Sequence, residues 1–368
     1  MSQPNERPTH LEPCCLATTL GSLPHADVER GTSLILEATP EIPCWVQFPK
    51  RNAYENMMVQ FLEGWPALIE SEERTYFDTT LPDYVEQLTD FYERYLAASE
   101  EGDRAALESF GLSDRAAAGF AALEARLPAH VAAGKAWMLK GQVTGPFTQG
   151  ANLLDQDRRC AYYDEQLRDV VVKGVALKAA WQMQRLGAFG LPLMVFLDEP
   201  SLVGFGSQTY LTVSREDVVG DIDEVVAAIH ARGGLAGVHC EENTDWGLLM
   251  ETALDILDFD AYEHMQAMTL YPAELHAFLD RGGWLGWGIV PTLDRQAAAT
   301  ETVDSCLARF EAGVGQLVGR GFDRGLLLRR ALITPSCGAG GVLTEPLAER
   351  VLRVLRELSL TLRARYGF

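Results

Sequence analysis

The segment GGLAGVHCEENTDW (residues 233–246) contains the unit from which we expect the fold to be built. Two glycines close an amphipathic helical pattern over residues 215–234, as the C-termini of helices prefer. The run that ends at Val238 is apolar on both faces, which is typical of a buried parallel strand. His239, Cys240 and Glu241 follow at the strand end. The order therefore predicts a helix, a buried strand and then a polar loop that can carry function.

Similar runs occur eight times along the chain. The predicted strands cover residues 14–22, 42–49, 135–143, 191–198, 235–240, 253–260, 284–290 and 329–336. Helical patterns separate most of them, which predicts an α/β fold of the (β/α)8 TIM-barrel type, with a doubly wound open sheet as the alternative. The connections 50–134 and 150–190 are long, so we expect helical insertions after the second and third strands.

Length and charge limit the classes of partner. The 368 residues contain no internal repeat or linker, so we expect one domain over residues 1–368. The formal net charge of -21 disfavours nucleic acid and anionic membranes. No apolar run is long enough to span a membrane, and the start MSQPNERPTHLEPCC has no signal-peptide pattern, which predicts a cytoplasmic protein. Seven scattered cysteines indicate reduced thiols.

Metal-binding residue types follow the fifth and eighth predicted strands. In a barrel, functional side chains collect where the parallel strands end. His239 and Cys337 would there supply two ligands to zinc, and a third would come from Cys240 or Glu241. Residues two apart share a face of a strand, which favours Glu241, whereas zinc's preference for sulfur favours Cys240. Both alternatives stay open at this point.

Two other strand ends predict contacts to a small substrate. Asp198 and Glu199 are adjacent carboxylates after an apolar run, and one of them could pair with a substrate ammonium. Gly21 and Ser22 follow the first predicted strand, where backbone N–H groups could approach a carboxylate closely. Each of these two strand ends thus predicts a contact to one charged group of a substrate.

Six motifs, in this order along the chain, resemble a known family. They are TTLGSLPH (18–25), KGQVTGPFTQG (140–150), FLDEPSL (196–202), GVHCEENTDW (237–246), DILDFDAY (255–262) and ITPSCG (333–338). The chain resembles the catalytic, C-terminal half of cobalamin-independent methionine synthase. The same superfamily contains uroporphyrinogen decarboxylase and the corrinoid-dependent methyltransferases.

The resemblance implies a TIM-barrel methyltransferase domain that holds Zn²⁺ and methylates a thiol such as homocysteine, giving methionine. It also implies roles for single residues. His239 and Cys337 match zinc ligands, and Asp260 lies where the family has a glutamate ligand. The family's histidine-any-cysteine motif reads here as His239-Cys240-Glu241.

The remaining matches concern the substrates. Asp198 matches the acid that holds the amino group of homocysteine, Glu55 a second acid for this amine, and Gly21 with Ser22 the backbone site for the carboxylate. GWGIVPT (286–292) stands where methionine synthase has a histidine thought to protonate the leaving group. The methyl donor could therefore be a corrinoid protein or methylcobalamin as well as methyl-tetrahydrofolate.

Two other functions remain as alternatives. The first is a cofactor-free decarboxylase of the uroporphyrinogen type, which needs arginines for its substrate's carboxylates, whereas the first strand end reads LGSLPH. The second is a non-catalytic barrel that binds a corrinoid or a partner protein.

Overall fold

The computed structural model describes residues 11–71 and 74–368 and is an α/β protein. Six parallel strands form one sheet with the shape of a half-barrel, and their order follows the chain from β3 to β8. Two short strands, β1 and β2, form a separate antiparallel pair. The strands are β1 (Leu68–Glu70), β2 (Thr75–Phe77), β3 (Leu139–Thr144), β4 (Leu193–Asp198), β5 (Leu235–Cys240), β6 (Ile256–Phe259), β7 (Trp284–Val290) and β8 (Ala331–Pro335).

Helices connect the strands of the parallel sheet and cover its outer face. They are α1 (Val28–Ala38), α2 (Tyr84–Ser99), α3 (Arg104–Glu108), α4 (Asp114–Ala132), α5 (Pro146–Asn152), α6 (Glu165–Gly187), α7 (Arg215–His230), α8 (Trp246–Glu251), α9 (Pro272–Asp280), α10 (Arg295–Thr300), α11 (Val303–Val318), α12 (Arg324–Arg329) and α13 (Glu345–Tyr366). Within the described residues, short 3₁₀ helices cover Ala53–Glu55, Ala161–Tyr163, Pro200–Gly204, Gln208–Tyr210 and Met265–Leu270.

The prediction of a closed eight-stranded (β/α)8 barrel is wrong. The first two predicted strands, residues 14–22 and 42–49, make only isolated parallel bridges, which join Ala17 to Ile333, Ser22 to Gln47 and Cys44 to Lys140. The backbone explains why these segments do not extend into strands. Cys14 and Cys15 have φ angles of 46° and 61°, Gly21 has 107°, and Pro43 has no N–H to donate. The sequential strand order also differs from that of a doubly wound sheet.

Each of the other six predicted strands overlaps a strand of the parallel sheet, and only β3 runs past its predicted end, by one residue. Every residue of β3 to β8 is buried, because helices cover the outer face and side chains fill the concave one. The helix before β5 begins with a capping box between Ser214 and Asp217. It is followed by Gly233 at φ 76°, as the paired glycines predict. The chain thus enters β5 in a fixed direction.

The long connection 50–134 contains β1, β2 and α2 to α4, and the connection 150–190 contains the whole of α6. The main buried cluster of apolar side chains extends from Cys15 to Leu362. Residues 1–10, on which the predicted location partly rests, lie outside the described residues, and the single-domain assignment over residues 1–368 stays a prediction. None of the described helices combines the length and the apolar character that crossing a membrane requires.

Candidate metal centre

Among the described residues, His239, Glu241 and Cys337 form a group that could hold a metal ion. Each offers one donor atom, and these atoms all lie within 4.8 Å of one another. His239 belongs to β5, Glu241 follows its last residue, and Cys337 lies two residues after β8. The Cys337 thiol also donates a hydrogen bond to Oε2 of Glu241. The curved sheet therefore brings the ends of two strands together at one point.

The side chain of His239 is held by the neighbouring strand. Its Nδ1 lies 2.8 Å from Oδ1 of Asp258 on β6. Its Nε2 has no hydrogen-bond partner among the described residues, although the ring is buried. Burial lowers the pKa of His239, but the hydrogen bond and charge of Asp258, with the charges of Asp198 and Glu241, raise it above its ordinary value overall. One ring nitrogen is thus engaged and the other remains available.

The structure separates the two alternatives for the third ligand. The Cys240 thiol is buried in the apolar cluster and lies 3.3 Å from the carbonyl oxygen of Glu199. Burial, followed by the charge of Glu199, raises its pKa well above the ordinary value. Glu241, one residue further along, joins His239 and Cys337 instead. Alternation of side chains along an extended chain accounts for this difference.

The donor set fits a transition metal that accepts nitrogen, oxygen and sulfur. Three protein ligands with one further position are the arrangement of catalytic zinc sites. Burial, followed by the charge of Glu241, raises the pKa of the Cys337 thiol well above its ordinary value. A metal ion would favour the thiolate and replace the proton shared with Glu241. The buried, unpartnered Nε2 of His239 fits the same ion.

A cavity of about 360 Å³ opens over this group. None of the described residues that line it is a lysine or an arginine, so its charged side chains are acidic apart from His239. Its lining consists of Leu20, Ser22, Gln47, Pro49, Glu55, Asn56, Met57, Asp198, Pro200, His239, Glu241, Leu293, Cys337, Gly338, Gly341 and Val342.

Asp198 lies beside the metal-binding group at the end of β4. Its side chain is buried, and Oδ1 has no hydrogen-bond partner among the described residues. Burial raises the pKa of Asp198 to about 6, although the charges of His239 and Lys140 act in the opposite direction. A cation in the cavity would favour the ionised carboxylate.

The adjacent Glu199 has a structural task. Its carboxylate accepts hydrogen bonds from the backbone N–H groups of Phe147 (3.0 Å) and Thr148 (2.7 Å) at the start of α5. Burial nevertheless raises the pKa of Glu199 to about 7. Of the two adjacent acids, only Asp198 lines the cavity.

Of the two residues predicted to form an anion site, Ser22 lines the cavity and Gly21 precedes it in the chain. The Oγ of Ser22 accepts a hydrogen bond of 3.2 Å from the backbone N–H of Gly340. Gly21 has a φ of 107°, and a Cβ atom there would also come within 3 Å of the side chains of Gln142 and Gln47, so backbone conformation and packing both favour glycine.

The carboxylates of Glu55 and Asp260 both accept hydrogen bonds from residues close to them in the chain. Glu55 lines the cavity, but its carboxylate accepts a hydrogen bond of 2.8 Å from the backbone N–H of Phe48 and an ion pair from Arg51. Asp260 accepts the N–H groups of Tyr262 (2.8 Å) and Glu263 (2.9 Å) through Oδ1, and it lies outside the metal-binding group. Burial raises the pKa of Asp260 to about 6.

Asp258 is a residue of the site that was not among the predicted site residues. It contacts His239 directly, whereas the resemblance drew attention to Asp260, two residues later. The segment Asp258-Phe259-Asp260 places both carboxylates on one face of the strand, which is the signal that could have identified Asp258.

No family model matches the chain, and a search of the curated proteins finds no matching relative.

Proposed function

We propose that this protein is a zinc-dependent methyltransferase that moves a methyl group to a thiol of the homocysteine type, giving methionine when homocysteine is the acceptor. The observation that carries the proposal is the placement of His239, Glu241 and Cys337 around one cavity together with the buried carboxylate of Asp198. The ordered motifs that resemble cobalamin-independent methionine synthase support the same activity.

Three side chains would hold the ion. Nε2 of His239, a carboxylate oxygen of Glu241 and Sγ of Cys337 are the donor types that zinc accepts, and they leave a position for a substrate sulfur. When bound, Zn²⁺ would act as a Lewis acid that keeps the acceptor thiol deprotonated at neutral pH. Only one of the three protein ligands is a thiolate. We therefore expect the site to prefer soft, thiophilic metal ions less strongly than a site with two cysteines does.

Asp198 would bind the amino group of the acceptor. A buried carboxylate without a hydrogen-bond partner gains a charge-assisted hydrogen bond from an ammonium. The carboxylate of the acceptor would be bound by Ser22 and nearby backbone N–H groups, since the lining contributed by the described residues contains no lysine or arginine. Glu55 would act on the amine mainly through its charge, because its carboxylate is already held by the N–H of Phe48 and by Arg51.

The methyl donor would be a methylcorrinoid, on a corrinoid protein or as methylcobalamin, or methyl-tetrahydrofolate. In either case the acceptor sulfur forms the new bond to the methyl carbon, and the donor keeps the electron pair of the bond that breaks. Residues 286–292 contain no histidine, so this strand end provides no imidazole to protonate a folate leaving group. The cytoplasmic location and the exclusion of nucleic acid rest on composition and remain predictions.

The cavity argues against the decarboxylase alternative. An enzyme that binds several substrate carboxylates needs cations in its site, and the lining residues here include neither lysine nor arginine. The buried acids would repel such a substrate.

Metal analysis and a methyl-transfer assay test the proposal. Wild-type protein from zinc-supplemented cells should contain about one zinc per chain, and Cys337→Ser should contain much less. The zinc-loaded protein is then mixed with homocysteine and, separately, with methylcobalamin and methyl-tetrahydrofolate, and methionine is measured. Metal-free wild-type protein, or zinc-loaded protein that forms no methionine with either donor, would refute it.

A further inference from the structure

Four residues lie side by side across neighbouring strands beneath the cavity. The register pairs Asp198 of β4 with His239 of β5, His239 with Asp258 of β6, and Asp258 with Gly286 of β7. Because paired residues of adjacent parallel strands project from the same face, the imidazole lies between two carboxylates. The row ends at a residue without a side chain.

The carboxylate of Asp258 has one partner. It is fully buried, and its Oδ1 contacts Nδ1 of His239 at 2.8 Å. Its Oδ2 makes no hydrogen bond within the described residues. A buried carboxylate is costly to desolvate, and it serves neither a helix N-terminus nor an ion pair with lysine or arginine in the part of the chain that the structure describes. The contact with His239 is therefore its one visible task.

Gly286 makes room for this carboxylate. A Cβ atom at position 286 would overlap with Oδ2, Cγ and Cβ of Asp258. The backbone of Gly286 does not require glycine, since its φ lies outside the left-handed region. Glycine is therefore needed at position 286 because the carboxylate of Asp258 occupies the space that a side chain would take.

We infer that Asp258 is a positioning residue: it accepts the Nδ1–H of His239, fixes the ring in one tautomer and orientation, and leaves Nε2 as the metal donor. The inference rests on the proposed metal site for its consequence, but the orientation of the ring can be measured without any metal. A carboxylate partner also makes the imidazole a stronger donor to a cation. A catalytic role for Asp258 itself is not implied, because Asp258 does not line the cavity.

The first test uses metal-free wild-type protein. Nitrogen-15 NMR of labelled histidine, at a pH where the ring is neutral, distinguishes the two tautomers, and His239→Asn assigns the signal. We expect the proton on Nδ1, and in Asp258→Ala we expect a mixture of tautomers. The proton on Nε2 of wild-type protein would overturn the inference even if no variant folded.

The second test measures zinc affinity by competition with a chelator. Removal of such a partner typically weakens metal binding by about 10- to 100-fold. We expect this loss in Asp258→Ala and a smaller loss in Asp258→Asn, whose amide oxygen can still accept from Nδ1. Asp260→Asn is the matched control, because it is a buried aspartate two residues away that caps a turn outside the metal-binding group, and its affinity should equal that of wild type.

The outcomes separate the two proposals. If wild-type protein binds no zinc but carries the proton on Nδ1, the positioning contact stands and the metal proposal fails. If wild-type protein binds zinc and folded Asp258→Ala binds it equally well, the positioning inference fails and the metal proposal stands.

Discussion

Cys337 and Glu241 are hydrogen-bonded to each other although 96 residues separate them in the chain. The thiol donates to the carboxylate, so the pair shares a proton that a metal ion would replace. Both residues lie just beyond their strands, at the ends of β8 and β5. The contact therefore identifies Glu241, rather than its neighbour Cys240, as the residue that faces the candidate metal centre.

Zinc binding should depend on Glu241 and not on Cys240. Glu241→Gln removes an anionic oxygen donor to the metal. Replacing a residue that only hydrogen-bonds to a metal ligand typically weakens metal binding by roughly 10- to 100-fold, and we expect a larger loss of zinc affinity in Glu241→Gln. Cys240→Ser should bind zinc as wild type does, because a serine hydroxyl can still donate to the carbonyl oxygen of Glu199. Chelator competition on both purified variants measures the difference. Loss of zinc from folded Cys240→Ser, with normal binding by Glu241→Gln, would contradict this assignment.

The strands of the parallel sheet could be predicted from the sequence because they are apolar on both faces. Residues 191–198 and 235–240 consequently predicted β4 and β5 within two residues. The segments 14–22 and 42–49 have similar composition, but Cys14 and Cys15 have a left-handed backbone, and their N–H groups bond to the carbonyl oxygens of Arg329 and Ala331 at the other end of the chain, which composition does not report. The same limit explains why a closed barrel was expected.

The candidate site could be predicted only in part, because some of its contacts depend on how separate segments are arranged in the folded protein. Strand-end position selected His239, Cys337 and Asp198, all of which line the cavity. The choice between Cys240 and Glu241 depends on the path of the backbone after the strand ends. The contact between Asp258 and His239 depends on the register between β5 and β6, which cannot be deduced from the sequence of either strand alone.

Gly286→Ala should weaken both stability and zinc binding. The new methyl group would overlap with the Asp258 carboxylate, and overpacking of this kind typically costs about 1 to 3 kcal/mol of unfolding free energy. Displacement of Asp258 should also disturb His239. Denaturant titration and chelator competition measure the two effects.

Gly315→Ala provides the control for that substitution. Gly315 lies in α11, and a Cβ atom there meets nothing within 4 Å. Alanine is preferred over glycine within a helix by about 0.5 to 1 kcal/mol, so this variant should be as stable as wild type or more stable. Equal behaviour of the two alanine variants would argue against a spatial role for Gly286.

Lys178 should make stability depend on pH. Its Nζ is buried and donates to the carbonyl oxygens of Glu63 (2.6 Å) and Gly111 (3.2 Å). Burial lowers the pKa of Lys178 from 10.5 to about 7 in the folded protein. Between these values the unfolded chain binds the extra proton, so raising the pH favours the folded state.

The expected size follows from the same linkage. Between pH 7.5 and 9.5, the unfolding free energy of wild type should rise by about 2 to 3 kcal/mol relative to that of Lys178→Met, which lacks the group. Urea denaturation of both proteins at the two pH values cancels the contribution of other titrating groups. Parallel pH dependence in the two proteins would show that the folded state keeps Lys178 charged.

Asp198→Asn should weaken binding of an amino thiol without removing the metal. A hydrogen bond to a charged group contributes about 1.5 to 3 kcal/mol, so we expect roughly a 10- to 100-fold rise in the dissociation constant for homocysteine. Zinc content should stay at the wild-type level, because Asp198 is not one of the three candidate ligands. Calorimetric titration of zinc-loaded protein measures the affinity.

The decisive comparison uses the same thiol without its amino group. If Asp198 pairs with the ammonium, wild type and Asp198→Asn should bind this analogue equally, since the lost interaction has no partner in it. If the variant instead loses affinity for both thiols by the same factor, Asp198 acts on the sulfur or on the shape of the cavity. A general effect of the substitution on the cavity would weaken binding of both thiols by the same factor. The ratio of the two factors therefore measures the contact between Asp198 and the ammonium.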